Sequence, residues 1–154
     1  MGIGGLRKKG NMKLLPEDRE RLIRYVDFME SELSDFPRFS KVDWKNYVED
    51  RDLRRNLERW IENLVNCSID IAKVILIADD RRIPTTYKEI LKELGVTQYF
   101  DEEFGEAISR WATLRNILAH EYIDIRWNSI KNFIQFAEPI YKRLIDKIKS
   151  LLLP

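Results

Sequence analysis

A chain of 154 residues, of which 44% are hydrophobic and 34% are charged, has the size and composition of one folded domain. Its 27 basic and 26 acidic residues nearly cancel, so the charge of the whole molecule gives no support for nucleic-acid binding, which would need a local basic cluster. No apolar run approaches the roughly 18 residues of a membrane span, and the single cysteine cannot form an internal disulfide, so we expect a cytoplasmic protein without membrane contact.

The chain has too few of the usual zinc ligands for a metal site, because it contains one histidine and one cysteine. We therefore expect chemistry without a protein-bound metal and without a cofactor. Residues 1–14 contain four glycines and no continuous apolar segment, which predicts a flexible leader. From residue 15 to residue 154 the apolar residues recur at steps of three and four, which predicts a single all-α domain.

Two helices are predicted in the first half of the chain. The first opens at Pro16, has acidic residues in its first turn and runs to Phe36. Asp43 can cap a long second helix that bends near Asp50 and stops by the segment DDRRIP, residues 79–84. The residues that we expect to face the core are Leu22, Val26, Met29, Leu33 and Phe36 in the first helix, and Tyr47, Leu53, Leu57, Trp60, Ile61, Leu64, Ile71, Val74 and Ile75 in the second.

A short third helix and a longer fourth helix follow. Thr86 and Glu89 have the spacing of a capping box, and Gly95 supplies a stop. The third helix is therefore predicted to begin after Thr86 and to end by Gly95. Asp101 can cap the fourth helix, which continues to His120.

The last predicted helix runs from about Ile125 to Leu152, with a kink at Pro139, since proline removes one backbone hydrogen bond and crowds the preceding turn. Four long amphipathic helices and one short helix pack most simply as an antiparallel bundle. The inward residues expected in the last helix are Trp127, Ile130, Phe133, Ile134, Ile140, Tyr141, Leu144 and Ile148.

The fourth helix carries an arginine inside its apolar face. At about 100° per residue, Arg115 falls near the centre of this face, whereas Glu103, Glu106, Arg110 and Thr113 fall on the opposite side. A guanidinium is costly to desolvate, so Arg115 must pair with a buried carboxylate, open onto a cleft or lie where a partner molecule approaches. The apolar residues that form the face are Phe104, Ile108, Trp111, Leu118 and Ala119.

His120, the only histidine, lies five residues after Arg115 and about 140° around a straight helix, whereas Asn116 shares the side of His120. The arginine and the histidine therefore converge only if the helix ends or distorts near His120, and the segment HEYIDI allows a turn there. A lone histidine near a helix end is more often a surface or capping residue than a catalyst, although histidine is suited to proton transfer. Tyr122 is equally compatible with a packed aromatic residue whose hydroxyl reaches the surface.

The segment RNILAHEY resembles the Arg-x4-His-x-Tyr motif of the HepT-like toxins, a branch of the HEPN superfamily of small helical ribonucleases. Arg115, His120 and Tyr122 occupy the three motif positions, and Asn116 lies where the family favours a polar residue. The resemblance covers roughly residues 16–150, because the order of the helices and the segment PTTYKEIL before the motif helix also agree.

This resemblance implies an HEPN-like homodimer whose two motif helices face each other across a cleft and cleave RNA without a metal. It assigns Arg115 and His120 as catalytic residues, with Asn116 in support and the guanidinium stabilising charge on the phosphate. A two-fold dimer would supply two histidines for the two proton transfers of cleavage at the 2′-hydroxyl. The resemblance also implies a minimal nucleotidyltransferase antitoxin that transfers AMP to Tyr122. The attached AMP would repel RNA by its charge and its volume.

Further basic residues near the motif are few, and Arg110, Arg126 and Lys131 are the candidates for RNA binding. Two other functions remain open. The chain is also compatible with a non-catalytic nucleotide- or substrate-binding subunit of a nucleotidyltransferase, in which Arg115 and His120 bind a phosphate without turning it over. A purely structural dimeric bundle is the third reading, and it requires Arg115 to lie in an internal ion pair.

Overall fold

The computed structural model describes residues 14–153, and every regular element in this range is helical, which confirms the predicted all-α fold. The predicted leader, residues 1–14, lies outside the described residues except for Leu14. No helix within the described range is long and apolar enough to span a bilayer. The helices are α1 (Pro16–Leu33), α2 (Phe36–Phe39), α3 (Trp44–Glu49), α4 (Arg51–Ala78), α5 (Tyr87–Glu93), α6 (Glu102–Ser109), α7 (Leu114–His120) and α8 (Ile123–Leu152), with 3-10 turns at Leu94–Val96 and Arg110–Thr113.

Helix α4 lies at the centre of the bundle and is buried on several sides, because it packs against α1, α3, α5 and α7. Trp60 of α4 donates its indole N–H to the carbonyl of Glu32 in α1 at 2.7 Å, and Cys67 donates its thiol to the carbonyl of Tyr25 at 3.3 Å. These pairs run in opposite directions along the two helices, so α1 and α4 are antiparallel. Helix α8 packs against α1, α6 and α7, which completes the predicted antiparallel bundle.

An aromatic cluster centred on Phe133 of α8 joins several elements of the core. Its ring packs edge-to-face against Trp60 at 5.8 Å and Trp111 at 5.4 Å, stacks on Phe36 at 6.1 Å, and lies 5.9 Å from Tyr141. Such pairs add about 0.5–1.5 kcal/mol each beyond the burial of their area. Because Trp111 belongs to the 3-10 turn directly before α7, the cluster fixes where α7 begins.

The first predicted helix ends early, and the second ends as expected, at Ala78, but is divided in two. Helix α1 stops at Leu33 because a continuing helix would press the ring of Pro37 against the Leu33 carbonyl, and Phe36 lies in α2 instead. The bend expected near Asp50 is a complete break between α3 and α4. Asp50 has an extended backbone (φ −102°, ψ 98°), and its carboxylate accepts the Leu53 backbone N–H at 3.0 Å, which caps α4.

Helix α8 begins at Ile123, two residues before the predicted start, and continues to Leu152 without interruption at Pro139. Tyr122 has an extended backbone and precedes its first turn. A change of axis direction at Pro139 stays a prediction. Because of this early start, only two residues separate α8 from His120, which ends α7.

Two glycines allow the backbones of the α5 region and α6 to touch. A Cβ atom on Gly105 would lie 2.5 Å from the carbonyl oxygen of Lys92 and 3.0 Å from the Cα of Gly95. A Cβ atom on Gly95 would lie 2.6 Å from the carbonyl oxygen of Asp101. The clashing atoms belong to the backbone and cannot move aside by side-chain rotation, so both positions require glycine.

We expect Gly105→Ala to lower the free energy of unfolding by about 1–3 kcal/mol, because the added methyl group overpacks this contact. Helix propensity alone would give the opposite sign, about 0.5–1 kcal/mol of stabilisation. Chemical denaturation measures the difference, with Gln135→Ala on the exposed side of α8 as the control, expected to change stability by less than about 0.5 kcal/mol. A stable Gly105→Ala protein would contradict the close approach.

Candidate active site

The predicted fourth helix is divided into α6, a 3-10 turn and α7. Two hydroxyl groups donate to backbone carbonyls three residues earlier at this point. Ser109 donates to the Glu106 carbonyl at 3.0 Å, and Thr113 donates to the Arg110 carbonyl at 3.3 Å. A 3-10 turn advances about 120° per residue, so its four residues rotate α7 by roughly 80° relative to an unbroken α-helix.

This rotation moves Arg115 from the centre of the apolar face to its edge, where the side chain is half-buried. Ala119, expected on the buried face, is exposed for the same reason. The prediction for the other members of the face is confirmed, since Phe104, Ile108, Trp111 and Leu118 are buried.

The guanidinium of Arg115 packs on an aromatic ring. Its Cζ atom lies 4.8 Å from the centre of the ring of Tyr87, the first residue of α5. Within residues 14–153, no carboxylate lies at ion-pair distance from Arg115. The structural-bundle reading required an internal ion pair, and the described part of the chain does not provide one. A cation over an aromatic face contributes about 0.5–2 kcal/mol, and the contact leaves the N–H groups at the edge of the guanidinium available.

Helix α7 ends at His120, as the motif segment predicts. Glu121 is extended (φ −90°, ψ 162°), and so is Tyr122 (φ −70°, ψ 160°), so the chain turns before α8 begins. His120 and Asn116 are exposed, and Tyr122 is 82% exposed, which excludes the packed-aromatic reading of this tyrosine. Arg115 and His120 leave α7 about 140° apart, and Asn116 lies on the side of His120.

An ion pair holds the end of α7 in place. The Nη1 atom of Arg126, in the first turns of α8, donates to Glu58 Oε1 of α4 at 3.2 Å and to the carbonyl oxygen of Leu118 at 3.5 Å. The other carboxylate oxygen of Glu58 accepts the hydroxyl of Tyr47. Arg126, a predicted RNA-binding residue, thus has partners inside its own chain, and together they connect α3, α4, α7 and α8.

Aromatic residues pack around this ion pair. Tyr47 lies 5.0 Å from the ring of Trp127 and 6.3 Å from that of Trp44. Burial raises the pKa of Tyr47, and the hydrogen bond to Glu58 and its negative charge raise it further. The Tyr47 hydroxyl therefore stays protonated and acts as the donor to Glu58.

The remaining predicted RNA-binding residues are Arg110 and Lys131, and both are exposed. The Arg110 Cζ atom lies 5.8 Å from the ring centre of Trp111, and Lys131 lies on the outer side of α8. The sequence did not single out Glu58 or Tyr87. The segment PTTYKEIL did point to the region of Tyr87, but nothing in it indicated a contact with Arg115.

The fold and this site define an all-α protein in which a half-buried arginine, an exposed histidine and an exposed tyrosine lie at one helix junction. The model of the family described as "Ribonuclease HepT-like" matches residues 29–148, which include the motif. A protein named "tRNA nuclease HepT" from Aphanizomenon flos-aquae is 30% identical over 138 residues, which is 89% of this chain and 89% of that protein. The chain therefore belongs to the HepT-like ribonucleases of the HEPN superfamily, and it is an endoribonuclease.

We expect Glu58→Gln to lower the free energy of unfolding by about 1–3 kcal/mol, because the guanidinium of Arg126 keeps its partly buried position and loses its counter-charge. RNA cleavage should fall as well, since Arg126 also holds the end of α7. Denaturant unfolding and a cleavage assay measure the two effects.

Glu138→Gln is the matched control, because Glu138 pairs with Lys142 on the exposed side of α8 at 3.3 Å. This exposed pair should contribute less than about 1 kcal/mol. Equal losses in the free energy of unfolding for the two variants would show that the ion pair of Glu58 with Arg126 stabilises the fold no more than an exposed pair does.

Proposed function

We propose that this protein is the toxin of a toxin–antitoxin pair, a metal-independent endoribonuclease whose active site is completed by a second copy of the chain. The observation that carries the proposal is the state of Arg115, which is half-buried, held by the Tyr87 ring and unpaired with any carboxylate in residues 14–153. A guanidinium held in this way keeps its charge and its donors for a phosphate.

The proposed reaction uses two histidines, one from each copy. The 2′-oxygen of a ribose attacks the adjacent phosphorus, and the bond from phosphorus to the 5′-oxygen breaks. One His120 accepts the proton from the 2′-hydroxyl, and His120 of the second copy donates a proton to the leaving 5′-oxygen. Arg115 binds the phosphate oxygens and stabilises the charge that develops there. Asn116 lies on the side of His120 and orients the imidazole or the phosphate.

The position of the two catalytic side chains supports a site shared between copies. Arg115 and His120 project from α7 about 140° apart, so a single chain does not direct both at one phosphodiester. In a two-fold dimer with facing α7 helices, the arginine of one copy lies opposite the histidine of the other. We propose that Arg110 and Lys131, both exposed, attract the RNA backbone, while Arg126 serves mainly to hold the turn.

The substrate class that we propose is transfer RNA in the cytoplasm. The relative that is 30% identical over most of both chains carries the name of a tRNA nuclease.

We propose that the antitoxin is a minimal nucleotidyltransferase that modifies Tyr122. The hydroxyl of this 82% exposed side chain would attack the α-phosphate of ATP and release pyrophosphate, leaving AMP on the tyrosine. The adduct adds a negative phosphodiester and a base two residues from His120, and both exclude an incoming RNA.

The alternative from the sequence was a non-catalytic subunit that binds a nucleotide for a nucleotidyltransferase. Membership of the HepT-like ribonucleases argues against it. RNA binding without cleavage by the wild type would be the result that favours it.

We expect His120→Ala and Arg115→Ala each to reduce RNA cleavage by at least about a hundredfold, since each removes a group that acts on the reacting phosphate. Both variants should stay folded and dimeric, because His120 is exposed and Arg115 only half-buried. A cleavage assay on transfer RNA, together with circular dichroism and sedimentation, measures these properties.

Asn128→Ala, an exposed position on α8, serves as the control variant. Equal cleavage by the wild type and both active-site variants would indicate a contaminating nuclease and favour the binding subunit. The same assay in EDTA should give the same rate, and a rate abolished by the chelator would contradict the metal-independent reaction.

We expect incubation with the partner nucleotidyltransferase and ATP to add the mass of AMP to the protein and to stop RNA cleavage. Tyr122→Phe should gain no mass and should keep its activity under the same conditions. Intact-protein mass spectrometry measures the adduct, and an unchanged adduct on Tyr122→Phe would assign the modification to another residue.

A further inference from the structure

Two cations from different helices share one aromatic ring beside the motif. Lys73 of α4 places its Nζ atom 5.8 Å from the centre of the Tyr87 ring, and Arg115 places its Cζ atom 4.8 Å from the same point. Tyr87 is 46% exposed. An ammonium, a phenol ring and a guanidinium from three helices therefore meet at the surface of the protein.

Neither cation is neutralised within the part of the chain that the structure describes. No carboxylate there lies at ion-pair distance from Lys73 or Arg115, although both side chains are half-buried. Asp70 lies one turn before Lys73 on α4 and forms no ion pair with it. Two like charges near one ring repel each other, and the ring offsets only part of that repulsion. Such an arrangement favours a bound anion.

The position of Lys73 in the sequence needs an explanation beyond folding. Residues 71–78 form the last two turns of α4, and Lys73 is their only charged residue. Its neighbours Ala72 and Val74 are buried in the core. An apolar residue would suit this half-buried position at least as well for packing, because the ammonium makes no ion pair.

We propose that Lys73, Tyr87 and Arg115 form a subsite for the RNA backbone, in which Lys73 binds the phosphate next to the one held by Arg115. Tyr87 is a positioning residue, because its ring sets the direction of the guanidinium. This inference rests on the proposed ribonuclease function and deepens it. Lysine suits a flanking phosphate as a compact point charge, and the planar fork of arginine suits the phosphate that reacts.

Salt dependence of RNA binding tests the role of Lys73. In a His120→Ala background, which prevents cleavage, a fluorescent single-stranded RNA is titrated at several NaCl concentrations. Lys73→Met keeps the apolar stem and removes the charge. We expect this variant to make the plot of log binding constant against log salt concentration less steep by about 0.7, the contribution of one phosphate contact in a single strand. The loss of affinity should be similar for RNAs of different sequence.

Lys88→Met is the matched control, because Lys88 is an exposed lysine directly after Tyr87 and the charge change is the same. Lys88→Met should leave the wild-type slope unchanged. Lys73→Arg, which keeps the charge, should also give the wild-type slope. Equal slopes for Lys73→Met and Lys88→Met would overturn the subsite.

Steady-state cleavage tests the positioning role of Tyr87. Tyr87→Phe keeps the ring and should keep kcat, whereas Tyr87→Leu removes the ring and should lower kcat roughly 10- to 100-fold through misplacement of Arg115. Lys73→Met should raise KM with little change in kcat. Thermal denaturation checks that both variants are folded. Equal kcat values for the Phe and Leu variants would then refute the positioning role.

The same experiments separate this inference from the function on which it rests. Cleavage by the wild type with no effect of the Lys73 and Tyr87 substitutions would overturn the subsite alone. A wild type that does not cleave RNA, with a His120→Ala protein that does not bind it, would overturn the proposed function and the subsite with it.

Discussion

The contact between the Arg115 guanidinium and the Tyr87 ring determines what the rest of the site can do. A carboxylate in place of the ring would neutralise the arginine and occupy its donors in a bidentate pair. The face of an aromatic ring instead supports the guanidinium and leaves the N–H groups at its edge free. A chain with a formal net charge of +1 thus keeps a concentrated positive site at one place on its surface. The overall charge balance says little about such a site, because a bound phosphate responds to the nearest charges.

The packing of the bundle places both partners of this contact. Trp111 fixes the start of α7 through the Phe133 cluster, and Arg126 holds the end of α7 through Glu58 and the Leu118 carbonyl. On the other side, Gly105 lets α6 approach the segment that follows α5, the helix that Tyr87 begins. Both the ring and the guanidinium therefore lie on helices whose positions are set by buried contacts, and sites built in this way hold their geometry better than sites on loops.

Much of the fold could be predicted from the sequence because the core-facing residues repeat at the helical period over long segments. The interruption near Asp50 was expected only as a bend, and the break in the fourth helix was not expected, for one physical reason. Asp50 and the Ser109 and Thr113 hydroxyls act through local hydrogen bonds that interrupt a helix without interrupting its apolar pattern. A helical wheel assumes a constant rotation per residue, so it placed Arg115 too deep in the core. The motif residues could be found because they are neighbours in the chain, whereas Lys73, Tyr87 and Glu58 reach the site through tertiary contacts that leave no periodic trace.

The turn between α7 and α8 would then carry both the reaction and its control. In the proposed mechanism, His120 transfers protons at one end of this turn, and Tyr122 accepts AMP two residues later on a side chain that is 82% exposed. The proposed antitoxin would not need to separate two copies or unfold the bundle, because an adduct on Tyr122 would lie beside the histidine that it blocks. The partly buried ion pair between Arg126 and Glu58 supports this turn from within the same chain, so a modification of Tyr122 would change the surface and leave the core as it is.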